Sequence, residues 1–376
     1  MTVASKKARY IMVGGFLGAG KSTSILQLAY YLKLQGLTAG LITNDQGERL
    51  VDTAFFHSRG LRVEEIAGGC FCCRFSSLME AAERLSIEER PDVFVAEPVG
   101  SCTDLVASVS YPLRRLYGDD YTIAPLSVLV DPVRALRVLG LEPGRNFSSR
   151  VTYVYRKQLE EADLIVVNKS DIVEAERLER LRGALQAEFA QASIFVVSAR
   201  QATGLESWFE RMTQSEQRST QAMHLDYDAY AEGEAALGWL NCTVELDSQR
   251  DFNGNRLLSE LIRDLGEELD AAEIAHLKMT LASLHGSGEI ATINLVRNDY
   301  IPELSQSLTE PLARGQLIVN LRAEGSPDEL QAALKKALEQ CARNFSGLSA
   351  RVSHLEHFRP ARPVPTYRLA TPGGAV

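Results

Sequence analysis

The sequence predicts an α/β protein: a doubly wound, mainly parallel sheet followed by a smaller α+β domain. Three observations predict it. Six compact apolar runs recur between helical patterns through the first two hundred residues, without the strict alternation of a half-exposed sheet. Strands buried on both faces read this way. A G-x-x-x-x-G-K-[ST] signature, Gly15 to Ser22, lies directly after the first run and before a helical pattern, which is the P-loop NTPase arrangement. From Gly238 the texture changes to period-two alternation, the mark of a sheet with one face covered.

In chain order, the expected strands of the first domain are Tyr10–Gly15, Ala39–Asn44, Val93–Ala96, Leu126–Asp131, Leu164–Asn168 and Ile194–Ser198. A helix follows Lys21, with Ile25, Leu28, Ala29 and Leu32 on one face, and stops at Gly36. Another runs through Glu174–Ala190, with Leu178, Leu181, Leu185 and Phe189 in register. This alternation places a site at the carboxyl ends of the strands. Gln214–Glu234 turns polar and irregular and reads as a linker. In Leu240–Leu246 the even positions are apolar, as in a half-buried strand. A helix over Arg256–Leu269 and strands near Glu289–Val296 and Gln316–Leu321 follow; Ala275–Leu281 alternates without declaring its type. The last helix is signposted by the Ser326 cap, Pro327 in the first turn and Glu329 closing a capping box, with Leu330, Leu334 and Leu338 on one face. From Ser346 the chain reads as an extended tail carrying FRPARPVPTYR from Phe358. The expected division is a nucleotide domain over 1–213, a linker over 214–234, an α+β domain over 235–345 and a basic tail over 346–376.

Composition narrows the function classes. With 45% apolar and 24% charged residues, each domain can bury a core, and wholesale disorder is excluded. A net charge of −9 argues against a protein built chiefly for nucleic acid or anionic membrane. Met1–Tyr10 does not read as a signal peptide, and no apolar run approaches the roughly 20 residues that span a bilayer. Six cysteines in 376 residues are too few and too clustered for a disulfide framework. A soluble cytoplasmic enzyme or switch is expected.

The phosphate loop supplies the first site residues. Gly15, Gly18, Ala19 and Gly20 let backbone N–H groups turn around phosphate oxygens, Lys21 reaches the β- and γ-phosphates, and Ser22, followed by Thr23, is placed to ligate Mg²⁺. Asn168, Lys169 and Asp171 of NKSD follow an apolar strand two elements on. Asp171 pairs with the N1–H and exocyclic amine of guanine, donors that adenine lacks in that geometry, so GTP is favoured over ATP. Ser198 and Ala199 resemble the loop whose backbone amide meets the guanine carbonyl. Glu97 of EPVG ends a strand and is a Mg²⁺ candidate, directly or through water, while the Gly100 N–H faces the γ-phosphate. Asn44–Glu48 ends the second strand as a candidate γ-phosphate sensor, where Asp45 holds Mg²⁺ or orients the attacking water. A solvated acidic loop is the plainer reading of Asp45 and Glu48. The candidate catalytic set is Lys21, Asp45, Glu97 and Gly100.

Three of the six cysteines, Cys70, Cys72 and Cys73, fall within GGCFCCRF. Adjacent cysteines pair poorly with each other. Three thiols on such a turn can converge on Zn²⁺, Cu⁺ or Co²⁺, with Asp45, Glu48, a water or a client protein as fourth ligand. Buried small hydrophobes and a redox-active thiol group are the competing readings. Cys102, Cys242 and Cys341 read as scattered core residues.

Together GFLGAGKST, CFCC, the Glu-x-x-Gly of EPVG, QLEEADLIVVNKSD and the RPVP-bearing tail resemble the CobW-type GTPases, relatives of the nickel-insertion GTPases HypB and UreG. The resemblance covers most of residues 9–212 and, more loosely, Gly238–Phe345, where family members carry a C-terminal α/β domain. It implies a GTPase that binds GTP and GDP with Mg²⁺ and delivers a transition metal, Zn²⁺ or Co²⁺, to a client metalloenzyme or apo-protein. Neither nucleic acid nor membrane is an expected partner, and a homodimer is allowed. Members are associated with zinc homeostasis, cobalamin synthesis and nitrile hydratase activation. Carried over, phosphate binding falls on Gly15–Thr23, Mg²⁺ on Ser22 and Glu97, guanine on Asn168, Lys169 and Asp171, and metal on Cys70, Cys72 and Cys73. Two departures stand out. The usual Asn-Glu-x-Gly is Asn44-Asp45-Gln46-Gly47 here, one methylene shorter, and no His-rich tract is present, only His354 and His357 approaching each other. With no obvious arginine finger, slow intrinsic hydrolysis is expected. Two rival readings are a GTPase switch that gates a cobalamin-dependent or other metalloenzyme without carrying metal, and an ATP-dependent small-molecule kinase, which NKSD disfavours.

Overall fold

Strands buried on both faces must be spelled almost wholly in apolar residues, and those runs assemble into one parallel sheet. The computed structural model describes residues 7–47, 51–57, 59–284 and 289–374; Glu48 therefore lies outside the described residues. The strands of the first sheet are β1 (Ala8–Gly15), β2 (Ala39–Asn44), β3 (Val63–Ile66), β4 (Val93–Glu97), β5 (Tyr121–Ile123), β6 (Ser127–Val130), β7 (Leu164–Val167) and β8 (Ser193–Val196). Their order is β3-β2-β4-β1-β6-β7-β8, with β5 paired to β1, and every pairing is parallel. The chain builds β2 to β4 on one side of β1 and β6 to β8 on the other. The carboxyl end of β1 is thus a topological switch point, where crevices open in such sheets.

All six expected strands are present. The two that sequence reading missed are short. β3 reads Val-Glu-Glu-Ile at the sheet edge, where only one flank is paired and polar residues are tolerated, so it shows no apolar run. β5 is three residues long. The helix Lys21–Leu34 buries Ile25, Leu28, Ala29 and Leu32, the face read from the sequence. Ile25, Leu28 and Leu32 join Ile11, Val13, Leu129, Val166 and the fully buried Trp208 in one core cluster.

The second sheet is antiparallel: β9 (Leu237–Phe252), β10 (Glu273–Ser283), β11 (Ile290–Leu295), β12 (Glu303–Gln306), β13 (Leu312–Glu324) and β14 (Leu348–Phe358), in the order β12-β11-β10-β13-β9-β14. The ambiguous stretch Ala275–Leu281 is part of β10, flanked by β11 and β13. Helices Gly254–Glu268 and Pro327–Asn344 lay Leu257, Leu261, Leu265, Leu330, Leu334 and Leu338 into a core shared with Leu240, Val244, Met279 and Val319. The expected capping box at Ser326 and Glu329 is formed. Opposite-facing residues on β9, β13 and β14 carry a polar row: Asn320 Nδ2 donates to Asn241 Oδ1 at 2.9 Å, and Asn241 Nδ2 donates to Glu356 Oε2 at 3.2 Å.

The chain divides into two compact units, residues 1–46, 52–230 and 362–376 in one, 47–51 and 231–361 in the other. Two expectations are corrected. The stretch taken for a linker over 214–234 ends in a helix, Tyr227–Ala236, whose Tyr230 is buried in the first unit. The expected extended tail from 346 begins as strand β14, because Leu348, Ala350 and Leu355 pack on the second core. From Arg362 the chain belongs to the first unit, where Leu369 is 2% exposed and its N–H donates to Ala107 O. Among the described residues, no helix is long and apolar enough to cross a membrane.

Candidate functional site

The loop between β1 and the helix Lys21–Leu34 carries the phosphate signature at the switch point. Lys21 is 8% exposed and its Nζ donates to Gly15 O at 3.0 Å, holding the loop in a curl. Gly20 sits at φ +91°, and a Cβ there would stand 2.4 Å from Asn168 Nδ2, so the residue must be glycine. Asn168 Nδ2 donates to Ala19 O at 2.9 Å, and Lys169 Nζ to Gly18 O at 2.6 Å, with Asp131 Oδ2 at 3.1 Å from the same ammonium. The loop after β7 therefore braces the phosphate loop directly. Asn168 Oδ1 also accepts from Ala199 N at 3.0 Å, and Ser198 Oγ donates to Asp171 Oδ1 at 2.5 Å. Thus Asn168, Lys169, Asp171, Ser198 and Ala199 form one network around Gly18, Ala19 and Gly20.

On the β4 side, Ser22 Oγ donates to Glu97 Oε1 at 3.2 Å, and Glu97 is 8% exposed. A hydroxyl beside a buried carboxylate is the hard-oxygen pair that suits Mg²⁺. Gly100 lies against the phosphate loop: a Cβ there would meet Leu17 Cδ2 at 2.8 Å. Register places Thr43 of β2 opposite Glu97, so Asp45 follows two residues beyond that pair; its N–H donates to Ile66 O at 3.2 Å. Thr23 is exposed on the first helical turn.

The cysteine turn leads from β3 into the helix Phe75–Leu85. Its anchor is Asn44, the last residue of β2. Asn44 Nδ2 donates to Ile66 O at 2.9 Å and Gly69 O at 2.6 Å, and Phe71 N donates to Asn44 Oδ1 at 2.9 Å. Held so, the three thiol sulfurs lie within 4.8 Å of one another. Cys70 Sγ is 2.8 Å from Cys72 Sγ and 3.3 Å from Cys73 Sγ, with 3.6 Å between Cys72 and Cys73. Cys70 and Cys72 are 4% and 2% exposed, and Cys73 is half-buried. Three convergent sulfurs are a soft donor set that fits Zn²⁺, Co²⁺ or Cu⁺.

Two parts of this turn escaped sequence reading. Cys102, read as a core residue, has its thiol hydrogen-bonded to that of Cys70. Hydrogen bonding to Cys102, Cys72 and Cys73, in that order of effect, holds Cys70 well below the ordinary thiol range. The contact with Cys70 pushes Cys72 well up and Cys73 up to about 11. By contrast, burial in the apolar core of the second unit pushes Cys242 and Cys341 up to about 12. The other part is the tail. Val364 N donates to Cys73 Sγ at 3.3 Å, Thr366 N to Cys72 O at 2.7 Å, and Thr366 Oγ1 to Cys73 O at 3.2 Å. Tyr367 meets Phe75 edge-on at 5.2 Å, and Arg368 Nε donates to the buried Asp104 Oδ2 at 2.7 Å. The only sequence signal was the proline spacing of RPVP, which keeps backbone extended and so available to pair.

Residues 9–219, more than half of the chain, match the nucleotide-binding domain of the CobW/HypB/UreG family. The chain is 29% identical over 195 residues to the zinc chaperone CobW of a Sinorhizobium species, covering 46% of this chain and 53% of that one. It is 32% identical over 162 residues to the zinc chaperone YeiR of Escherichia coli K12, covering 43% and 46%. The chain thus spans about half the length of the curated relatives it matches. Among solved structures, HypB from Helicobacter pylori in complex with nickel superposes at a TM-score of 0.42, with 17% identity over 57% of this chain and 91% of that one. Zn(II)-bound YjiA GTPase from E. coli does so at 0.36, with 16% identity over 88% and 99%. Both likenesses are too distant to argue for a shared function. The family match over residues 9–219 includes the phosphate loop, the cysteine turn, the β4 carboxylate and the NKSD brace, and this chain belongs to the CobW/HypB/UreG family of P-loop proteins.

Proposed function

We propose that the chain is a GTP-hydrolysing metallochaperone, in which nucleotide state sets the affinity for a transition metal passed to a client metalloenzyme or apo-protein. The observation that carries this reading is Asn44. One side chain at the end of β2 clamps the cysteine turn at Ile66, Gly69 and Phe71, and the next residue, Asp45, begins the loop that would sense the γ-phosphate. Any rearrangement of that loop pulls on the metal-binding turn. Guanine falls to Asp171, with Asn168 and Lys169 bracing the loop and the Ser198–Ala199 backbone meeting the carbonyl. Lys21 and the loop amides hold the phosphates, while Ser22 and Glu97, with Asp45, hold Mg²⁺, which supplies charge neutralisation at the transferring phosphoryl group. Gly100 N–H faces the γ-phosphate. Cys70, Cys72 and Cys73 take the cargo. Zinc is the favoured cargo because the matched curated relatives are zinc chaperones, with cobalt second. Six free cysteines suit a reducing cytoplasmic setting.

Coupling of about 1–3 kcal/mol would change metal affinity about 5–150-fold between nucleotide states, and the same factor must act on GTP when metal binds. The test is to titrate Zn²⁺ and Co²⁺ into the protein with GDP and with a non-hydrolysable GTP analogue. Different affinities in the two states are expected; equal ones refute the coupling.

A further inference from the structure

We propose that residues 363–369 are a releasable strap, an extended segment of this chain that closes the cysteine turn and must lift before a metal ion enters or leaves. The inference rests on the metal-carrying reading above and adds the element that controls access to that site. The strap lies on the turn by its backbone. Val364 N donates to Cys73 Sγ at 3.3 Å, Thr366 N to Cys72 O at 2.7 Å, and Thr366 Oγ1 to Cys73 O at 3.2 Å. Donors two residues apart point to one side of an extended chain. The positions between and before them are Pro363 and Pro365, which carry no N–H to present on the other side. The same prolines hold the backbone extended before it docks, so little freedom is lost on closing.

The strap is fastened at its ends and exposed in its middle. Pro363 and Leu369 are buried, and Leu369 N donates to Ala107 O at 2.9 Å. Val364, above the half-buried Cys73, is 70% exposed, and sulfur is a weak acceptor for its N–H. Next to Leu369, Arg368 makes a two-pronged ion pair: Nε donates to Asp104 Oδ2 at 2.7 Å and Nη2 to Oδ1 at 3.3 Å. Asp104 is 1% exposed, and Tyr227 Oη donates to the same Oδ2 at 2.6 Å. Lifting the strap therefore strips a buried carboxylate of its cation, which favours the closed form. Asp104 stands on the loop that starts at Glu97, whose carboxylate accepts from Ser22 of the phosphate loop. A shift of that loop moves the group on which the strap is fastened. One segment thus ties the phosphate-site loop, through Arg368, to the cover of the thiols.

The test compares the full chain with Arg368→Ala, which unfastens the ion pair, and Thr366→Pro, which removes both Thr366 hydrogen bonds to the turn. Two rates are read: modification of the metal-free thiols by an aromatic disulfide reagent, assigned to Cys73 by peptide mass spectrometry, and passage of zinc from the loaded protein to a chromophoric chelator. Each variant is expected to raise both rates about tenfold or more, with GDP affinity moving less than about threefold. A rate within about twofold of wild type in either variant overturns the strap. Should a variant fail to fold, the wild type decides: amide hydrogen exchange at Val364 and Thr366 is expected to be at least about tenfold slower than in a free peptide of residues 361–370. Exchange at the peptide's rate overturns the strap. A wild-type turn that holds no zinc overturns the metal-carrying reading, while the thiol and amide rates, measured without metal, judge the cover separately.

Discussion

The phosphate loop and the cysteine turn are both short, glycine-bearing segments leading from a strand into a helix, yet they are secured in opposite ways. Everything that holds the phosphate loop belongs to a recognisable motif: Lys21 reaches back six residues to Gly15, and Asn168 and Lys169 come from NKSD. The cysteine turn is secured by residues with no motif of their own: Asn44 at a strand end, Cys102 on another loop, Val364 and Thr366 from the far end of the chain. The first site is a module braced by its own motifs. The second is a junction of four chain segments, and it should answer to changes the first ignores.

The largest expected effect falls on the module. Asp171→Asn removes the carboxylate proposed to pair with guanine and should weaken GTP by about a thousandfold or more, measured with a fluorescent GTP analogue, while zinc affinity of the nucleotide-free protein stays put. Unchanged GTP affinity would show that the network at Ser198 and Asp171 has another purpose. A smaller effect should separate the two sites from the other side. Asn44→Ala removes the hydrogen bonds to Ile66 O, Gly69 O and Phe71 N and should cut zinc affinity about 10–100-fold, with GDP affinity moving less than about threefold. Equal losses in both would break the contrast. The smallest effect concerns the segment between them. Glu161 accepts from Thr103 Oγ1 and Val106 N, and burial, helped by Asp104, pushes its carboxyl up to about 8. The folded state therefore holds this proton more tightly than the unfolded chain, where the value is about 4.3. The stability so conferred is full below about pH 4.3 and is lost as pH rises through about 8. The urea midpoint should fall between pH 5 and pH 9, and Glu161→Gln should flatten that fall. An identical slope in the variant would remove Glu161 from the account.

What the sequence made legible follows the same divide. Strands with both faces buried, such as Leu164–Val167, announce themselves in four consecutive apolar residues, whereas edge strand β3 has only Val63 and Ile66 to show. β10 was left open because the alternation of Leu277, Met279 and Leu281 with Lys278 and Thr280 breaks at its start, where the register shifts between Ile274 and His276. The phosphate loop, its brace and the Cys-x-Cys-Cys turn were readable because their chemistry is local in sequence. Cys102 was not: a single cysteine between Ser101 and Thr103 has no periodicity, and only the fold puts it beside Cys70. Nor was the return of residues 362–376, since an extended segment carries no pattern that names its partner.

That return also sets an order in time. Thr366 lies 293 positions after Cys73, whose carbonyl it caps. At synthesis rates of about 5–20 residues per second, about 15–60 s separate the two. The turn is finished early and roofed last, so the newborn thiols meet whatever ions surround the ribosome before their cover exists.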